Sequence, residues 1–393
     1  MIRARGTVVH NKEWVVGRVL QASEELVQLV SDAVGPDGRA VLAHPLTTLT
    51  RSGAHILNLT FPSTPTDTTL SLLLRSASEL HESAGDGVKS FLILVNALLK
   101  QVAIKNNGYG LLNELSVLQT LLCSVMSTTK CTCVLTNEVL SGVIATFFST
   151  RFAPTVSAVL SRLVFLWVTK LKNVSEIYRY INNFSSLCIK FNSFPVTSSS
   201  VQDGFLIKGL SVRKLPTSEN KCFLKVYYQP LDSSPDVGDI ETDIIDIIKV
   251  DIDSSDYLDC NVLFVTNVVL EERAMFLLNF KNIFAIHGVT VDSIKFLFEH
   301  NSVKDGVVVE YHYINEFLWI SLQNVSQLLL KGPSATFTKD YSDSVLDCLK
   351  MLMFSFKDKS CTVNAGGHFE LALVKKIFSE SQSKAFTVRM PPV

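Results

Sequence analysis

The chain has 393 residues, 47% hydrophobic and 19% charged, and its 36 Lys and Arg against 37 Asp and Glu leave a net charge of −1. Such a composition describes a globular protein with ample core, of about two or three domains. It argues against a nucleic-acid binder, which needs a basic surplus to neutralise phosphates.

The opening residues, MIRARGTVVHNKEWVV, are charged and lack an apolar run of signal-peptide length. Secretion is therefore not expected, and the eight cysteines belong to a reducing compartment. Val15, Val19, Ala22, Leu26, Leu29 and Ala33 then recur at spacings of three and four, which predicts a helix stopped by the GPDG turn at 35–38. A short extended stretch follows, and TRSG at 50–53 forms another glycine turn before apolar residues. The first 135 or so residues are thus mainly helical by pattern.

Residues 82–95, ESAGDGVKSFLILV, set a Gly-Asp-Gly turn directly against large apolar side chains. Val88, Phe91, Leu92, Val95, Leu98, Leu99 and Val102 form one helical face, so Asp86 and Gly87 stand at the helix start. The first N–H groups of a helix have no internal partner, and that end is positive. Asp86 suits either of two tasks there: it caps the helix, or it belongs to a phosphate site.

The KCTC run at 130–133 lacks the spacing and second pair of a structural zinc site. Residues 137–190 again look helical, and TVSAVLSRLVFLWV (155–168) is too short to span a bilayer and carries Arg162, so it reads as a buried helix. From 201 the texture changes. GFLIKGLSV (204–212), CFLKVYY (222–228), NVLFVTNVVL (261–270) and NIFAIHG (282–288) read as strands, the last two joined through a helix as a parallel strand-helix-strand unit. The acidic stretch 236–259, with nine carboxylates and one lysine, reads as a solvated face or loop.

VSQLLLKGP is a strand running into a turn, and SDSVLDCLKMLMFSF places Val345, Leu346, Leu349, Leu352 and Phe356 on one helix face. Asp347 lies off that face, beside Asp343 and Lys350, where a charged residue is ordinarily solvated. NAGGHFELALVKKIF puts paired glycines before a last amphipathic helix. The common nucleotide, zinc and hydrolase signatures are absent.

In order, GPDGRAVL, TRSGAHIL, GDGVKSF, DGFLIKG, LLLKGPS with VLDCLKML, and AGGHFE resemble the group II chaperonins. LKML followed by FKD, and GG-x-FE, are similar to the chaperonin-like Bardet-Biedl syndrome proteins of vertebrates. The resemblance implies an α/β multidomain chaperonin subunit: a helical equatorial domain (1–137 and 365–393), a small intermediate domain (138–200 and 319–364) and an α/β apical domain (201–318).

It also implies a site for ATP and Mg²⁺. Gly85, Asp86 and Gly87, with Val88, Lys89 and Ser90, match the phosphate loop, and Asp86 matches its Mg²⁺ ligand. Gly35 and Pro36 match the first turn near the nucleotide, Gly53 the second, and Gly366 and Gly367 the late glycine cluster. Asp347 falls where the family has a carboxylate that orients the attacking water. There are departures. Ser52 replaces a second water-activating aspartate and cannot act as a base. Val88 and Lys89 replace two threonines; Lys89 still offers a point charge to phosphate. ATP binding with weak or no hydrolysis is the expectation.

The implied function is assistance in assembling the BBSome, a ciliary trafficking coat, with cytosolic chaperonin subunits and sibling Bardet-Biedl chaperonin-like proteins as partners, in the cytoplasm, at the centrosome or basal body, and at the cilium. No nucleic acid and no membrane span are expected. Two alternatives stay open: a non-catalytic interaction scaffold without nucleotide binding, and an active ATP-hydrolysing chaperonin subunit. The chain ends soon after AGGHFE, at MPPV, where the family continues through a long helical segment, so a shortened first domain is expected.

Overall fold

The computed structural model describes residues 12–35, 38–43, 48–63, 65–105, 108–129, 131–132, 136–171, 174–211, 215–216, 221–228, 261–280, 283–299, 306–314, 317–356, 361–362 and 368–383. The chain divides into two compact units, residues 1–165 with 339–393, and residues 166–338. It is a mixed α/β protein of more than one unit, the coarse class that the sequence pattern predicts. Of the segments assigned to an intermediate domain, 138–165 and 339–364 fall in the first unit, and 166–200 and 319–338 in the second.

The first unit opens with α1 (Lys12–Ser31), a hairpin of β1 (Val41–Ala43) and β2 (Thr48–Thr50), then α2 (Gly53–Thr60), α3 (Thr68–Ala84) and α4 (Val88–Lys105). Ala22, Leu26 and Val30 of α1 meet Ile56 and Leu57 of α2, Ala77 of α3, and Val88 and Leu92 of α4 in one core. The period along α4 needs one correction. Leu98 is exposed, whereas Asn96 is buried, with the Ser23 hydroxyl 3.0 Å from its amide oxygen. A polar pair thus takes a core position that the apolar spacing gave to a leucine. Asp67 caps α3, accepting from the N–H groups of Thr69 and Leu70 at 2.8 and 3.2 Å. Next come α5 (Gly108–Thr129), the two-residue β3 (Cys131–Thr132), α6 (Asn137–Ser149) and α7 (Pro154–Val168). In α7, Leu160, Leu163, Val164 and Trp167 are buried, as predicted for a core helix. Among the described residues no helix is long and apolar enough to cross a membrane.

The second unit contains α8 (Val174–Asn182), the short α9 (Phe184–Leu187) and β4 (Cys188–Asn192). The helical reading of 137–190 therefore runs over into a strand: Cys188 and Ile189 are buried and pair with the strand Ser326–Gly332, and tertiary pairing overrides a locally ambiguous run. There follow β5 (Ser200–Asp203), β6 (Phe205–Ile207), β7 (Leu210–Ser211), β8 (Lys221–Tyr227), β9 (Asn261–Thr266), α10 (Glu272–Phe280), β10 (Phe284–His287), α11 (Val291–Glu299), β11 (Val307–Ile314), β12 (Phe317–Ile320) and β13 (Ser326–Gly332). One sheet has the order β6-β12-β11-β8-β9-β10-β7, and a smaller one β4-β13-β5. β8, β9 and β10 are parallel, with α10 as the crossover between the last two, the unit predicted from the spacing. Buried Leu263, Phe264 and Val265 follow one another without alternation, as in a sheet covered on both faces. The acidic stretch 236–259 lies outside the described residues.

The chain returns to the first unit through α12 (Ala335–Phe356), which buries Val345, Leu349 and Leu352. β14 (Cys361–Thr362) pairs antiparallel with β3, and α13 (His368–Ser383) packs on α5. Cys131 is thus a strand residue; Cys133 lies outside the described residues, among which no group of three or more His, Cys, Asp or Glu could hold a metal.

Candidate functional site

The Gly-Asp-Gly stretch is the turn between α3 and α4. Gly85 ends α3 in the left-handed region at φ +69°, its N–H donating to the His81 carbonyl at 2.8 Å. A Cβ at Gly85 would stand 2.2 Å from the backbone oxygen of Asp347, so the turn lies directly against α12 and only glycine fits. Gly87, at φ +93°, occupies the N-cap position of α4: its carbonyl accepts the first intrahelical bond, from Phe91 N–H at 2.8 Å. Asp86 therefore stands one residue before the cap. Its half-exposed carboxylate turns to Arg151, with Oδ1 3.1 Å from Nη2.

Arg151 follows α6 and lies over the ring of Phe147, 3.6 Å from its centroid. Its side chain is only 7% exposed, and its Nη1 is buried without a hydrogen-bond partner.

Two more segments converge on this turn. Lys89, in the first turn of α4, donates through Nζ to the carbonyls of Ala33 at 2.7 Å and Arg51 at 3.2 Å. The ammonium staples the end of α1 to the entry of α2, and burial pushes its pKa down while Asp86 pulls it up. Gly53 makes room for the stem of Lys89, since a Cβ there would stand 2.7 Å from Lys89 Cγ. Ser52 is the N-cap of α2, buried, with no side-chain capping bond. Gly35, at φ +80°, turns the chain out of α1.

Gly35, Ser52, Asp86, Gly87, Lys89 and Ser90 line one cavity of about 190 Å³, together with Val34, Arg51, Thr150 and Arg151. The sequence predicted the first six, apart from Ser52, as binding residues, and Ser52 as a departure in the same turn. Gly53 and Gly85 pack behind the lining, and Val88 points into the core of α1–α4. Pro36, Gly366 and Gly367 lie outside the described residues. Three cationic side chains face one carboxylate across the lining, at the N-terminus of α4, an arrangement that attracts anions.

Mg²⁺ fits this donor set poorly. Among the described residues Asp86 is the single carboxylate of the lining, and a guanidinium already holds it. Mg²⁺ at nucleotide sites is bound by one or two carboxylates plus phosphate oxygens, so Asp86 would have to release Arg151 to serve.

Asp347 is close by in the chain packing yet absent from the lining. Its residue is 5% exposed rather than solvated, and its Oδ1 lies 3.3 Å from His81 Nε2. Asp340, Asp343 and Asp347 fall at spacings of three and four on one face of α12, toward α2 and α3. Asp343 Oδ2 meets His55 Nε2 at 3.3 Å, which raises the His55 pKa. Burial pushes Asp347 up to about 7 and Asp340 up to about 6. Burial, then the charges of Lys350, His55 and Arg151, pushes His81 down to about 4. Despite its ion-pair distance, the His81–Asp347 contact therefore sets a neutral imidazole against a carboxyl whose pKa burial has raised, and is not an ion pair.

Sequence reasoning missed Arg151, His81 and His55. Arg151 has no local signal in TFFSTRF, because the face of α6 that it joins becomes visible only after folding. His81 does sit one helical turn before Gly85, on the same side as the turn. A scan against protein-family models finds no family model that matches this chain, and a search of curated proteins finds no matching relative.

Proposed function

We propose that the chain is a chaperonin-like protein of the Bardet-Biedl group, resembling the vertebrate Bardet-Biedl syndrome 10 protein, and that its first unit binds the phosphate end of ATP. One observation carries the reading. Residues from four separate stretches, around 35, 52, 86–90 and 151, meet in a single cationic cavity at a helix N-terminus, and the ordered glycine turns had assigned most of them to a phosphate site. In this reading the first unit holds the equatorial elements and the parallel-stranded sheet of the second unit the apical ones. The protein assists assembly of the BBSome with cytosolic chaperonin subunits and sibling Bardet-Biedl chaperonin-like proteins, in the cytoplasm and at the centrosome and cilium base.

Hydrolysis is slow or absent in this reading. Ser52 lines the cavity where a carboxylate would activate water, and the Asp347 carboxyl is sequestered with His81. Calorimetric titration with ATP in the presence of Mg²⁺ tests the binding step. Ser90→Asp adds a negative charge to the exposed first turn of α4, compatible with the helix but hostile to phosphate, and should weaken binding by about tenfold or more. No heat with the unaltered chain refutes nucleotide binding, and equal heat with Ser90→Asp refutes it at this cavity; either leaves the cavity to the interaction scaffold, which the internal satisfaction of both Lys89 and Asp86 favours. Phosphate release, if binding is present, separates the scaffold-like clamp from an active hydrolase.

A further inference from the structure

The protein leaves part of the Arg151 guanidinium unmatched. Nη2 holds Asp86, the guanidinium plane rests on Phe147, and Nη1 is buried with no partner. Leaving a buried charged donor unmatched is costly. The arrangement makes sense when an acidic oxygen arrives beside Asp86. Arg51 and Lys89 line the same cavity, as do Gly87 and Ser90 at the N-terminus of α4, the positive end of the helix. Among the described residues a metal there would meet the carboxylate of Asp86 alone and would have to compete with a guanidinium that packing on Phe147 holds in place.

We propose that Arg151 takes the charge-neutralising place of a divalent metal, so that this cavity binds a phosphate chain without Mg²⁺. The inference rests on the phosphate-site reading above and narrows it. Asp86 then competes with the phosphate for the guanidinium, and the phosphate oxygens take up the donors that Asp86 gives up. The cavity, about 190 Å³, is smaller than the ~300 Å³ or more of sites that enclose a whole drug-sized ligand. It suits the phosphate end of a ligand, with any nucleoside lying outside, and ATP and pyrophosphate share that chemistry.

The test titrates the full chain with ATP and, separately, with pyrophosphate, each in EDTA and in excess Mg²⁺. Dissociation constants in EDTA should lie within about threefold of those in Mg²⁺, since no metal bridge is lost. Heat from both ligands identifies the phosphate chain as what is bound, and heat from ATP alone identifies the nucleotide; either supports the inference if it persists in EDTA. Asp86→Asn, at a half-exposed position, should bind metal-free ATP at least as well as the unaltered chain, because a repelling charge has gone. A metal-bridged site would instead lose about tenfold or more on that substitution. Arg151→Met should lose about tenfold or more in EDTA, with melting curves to show that it is folded. If it does not fold, Asp86→Asn decides. Binding that appears only with Mg²⁺, or that Asp86→Asn weakens tenfold, overturns the inference while sparing the phosphate site. No heat from any titration overturns both.

Discussion

Asp347 and His81 exchange a proton on folding, and single substitutions should reveal it. In the unfolded chain the carboxyl has its ordinary pKa of 3.8 and the imidazole 6.5; in the folded chain burial moves them to about 7 and about 4. Between about pH 4 and 6.5 the unfolded pair carries its one proton on the imidazole, and the folded pair carries it on the carboxyl. The proton count hardly changes, so the pair as a whole gives stability little pH dependence. Removing one member exposes the other. In Asp347→Asn, the depressed His81 remains: the native state binds fewer protons than the unfolded one, and stability rises with pH from about 4 to 6.5. In His81→Gln, the raised Asp347 remains: the native state binds more protons, and stability falls as pH rises from about 4 to 7. At ~1.36 kcal/mol per pH unit, the window of Asp347 amounts to on the order of 3 kcal/mol, and that of the more exposed His81, which solvent screens, to about half as much, with opposite signs. Neither shift depends on the other partner's charge as its leading cause, which is burial in both cases. Urea denaturation followed by far-ultraviolet circular dichroism, at several pH values from 4.5 to 7.5 (about the window of these pKa values), measures the slopes. Slopes of the same sign in the two variants would refute this proton assignment.

Three further outcomes follow from the same unit. Gly85→Ala forces a left-handed residue to carry a Cβ against the Asp347 carbonyl, and should cost more than ~3 kcal/mol in urea titrations, at the large end for single substitutions. Ser23→Ala removes the hydroxyl that meets buried Asn96 and should cost ~1–3 kcal/mol, much of it recovered in the double variant with Asn96→Leu. His55 should titrate above 6.5 and His81 far below it in proton NMR, and Asp343→Asn should bring His55 down. The stabilisation from the His55–Asp343 pair is full below about pH 6.5 and is lost as pH rises through the raised value; with both groups about a third exposed, it amounts to no more than ~1 kcal/mol.

Periodicity made the helices legible, along with the parallel strand-helix-strand unit, because those features are local: spacing of three and four for α1, α4 and α12, and apolar runs of strand length for β8 to β10. It failed where distant packing chose the environment. Cys188 and Ile189 became a strand because β13 was there to pair with them. Asn96 could enter the core because Ser23 met it, and Asp347 could be buried because α3 brought His81 to it. The glycine turns of the candidate site were readable since each needs a positive φ or a close approach. Arg151 was not, because its importance lies in what faces it across the fold.

The pairing of Cys131–Thr132 with Cys361–Thr362, and the seating of His368–Ser383 on Gly108–Thr129, join stretches on either side of the entire second unit. During synthesis the ribosome must deliver the whole continuous 166–338 block before those late pieces emerge. The earlier-made part of the first unit must therefore wait incomplete while its successor can already fold, which makes that interval the one in which a holding partner would matter most.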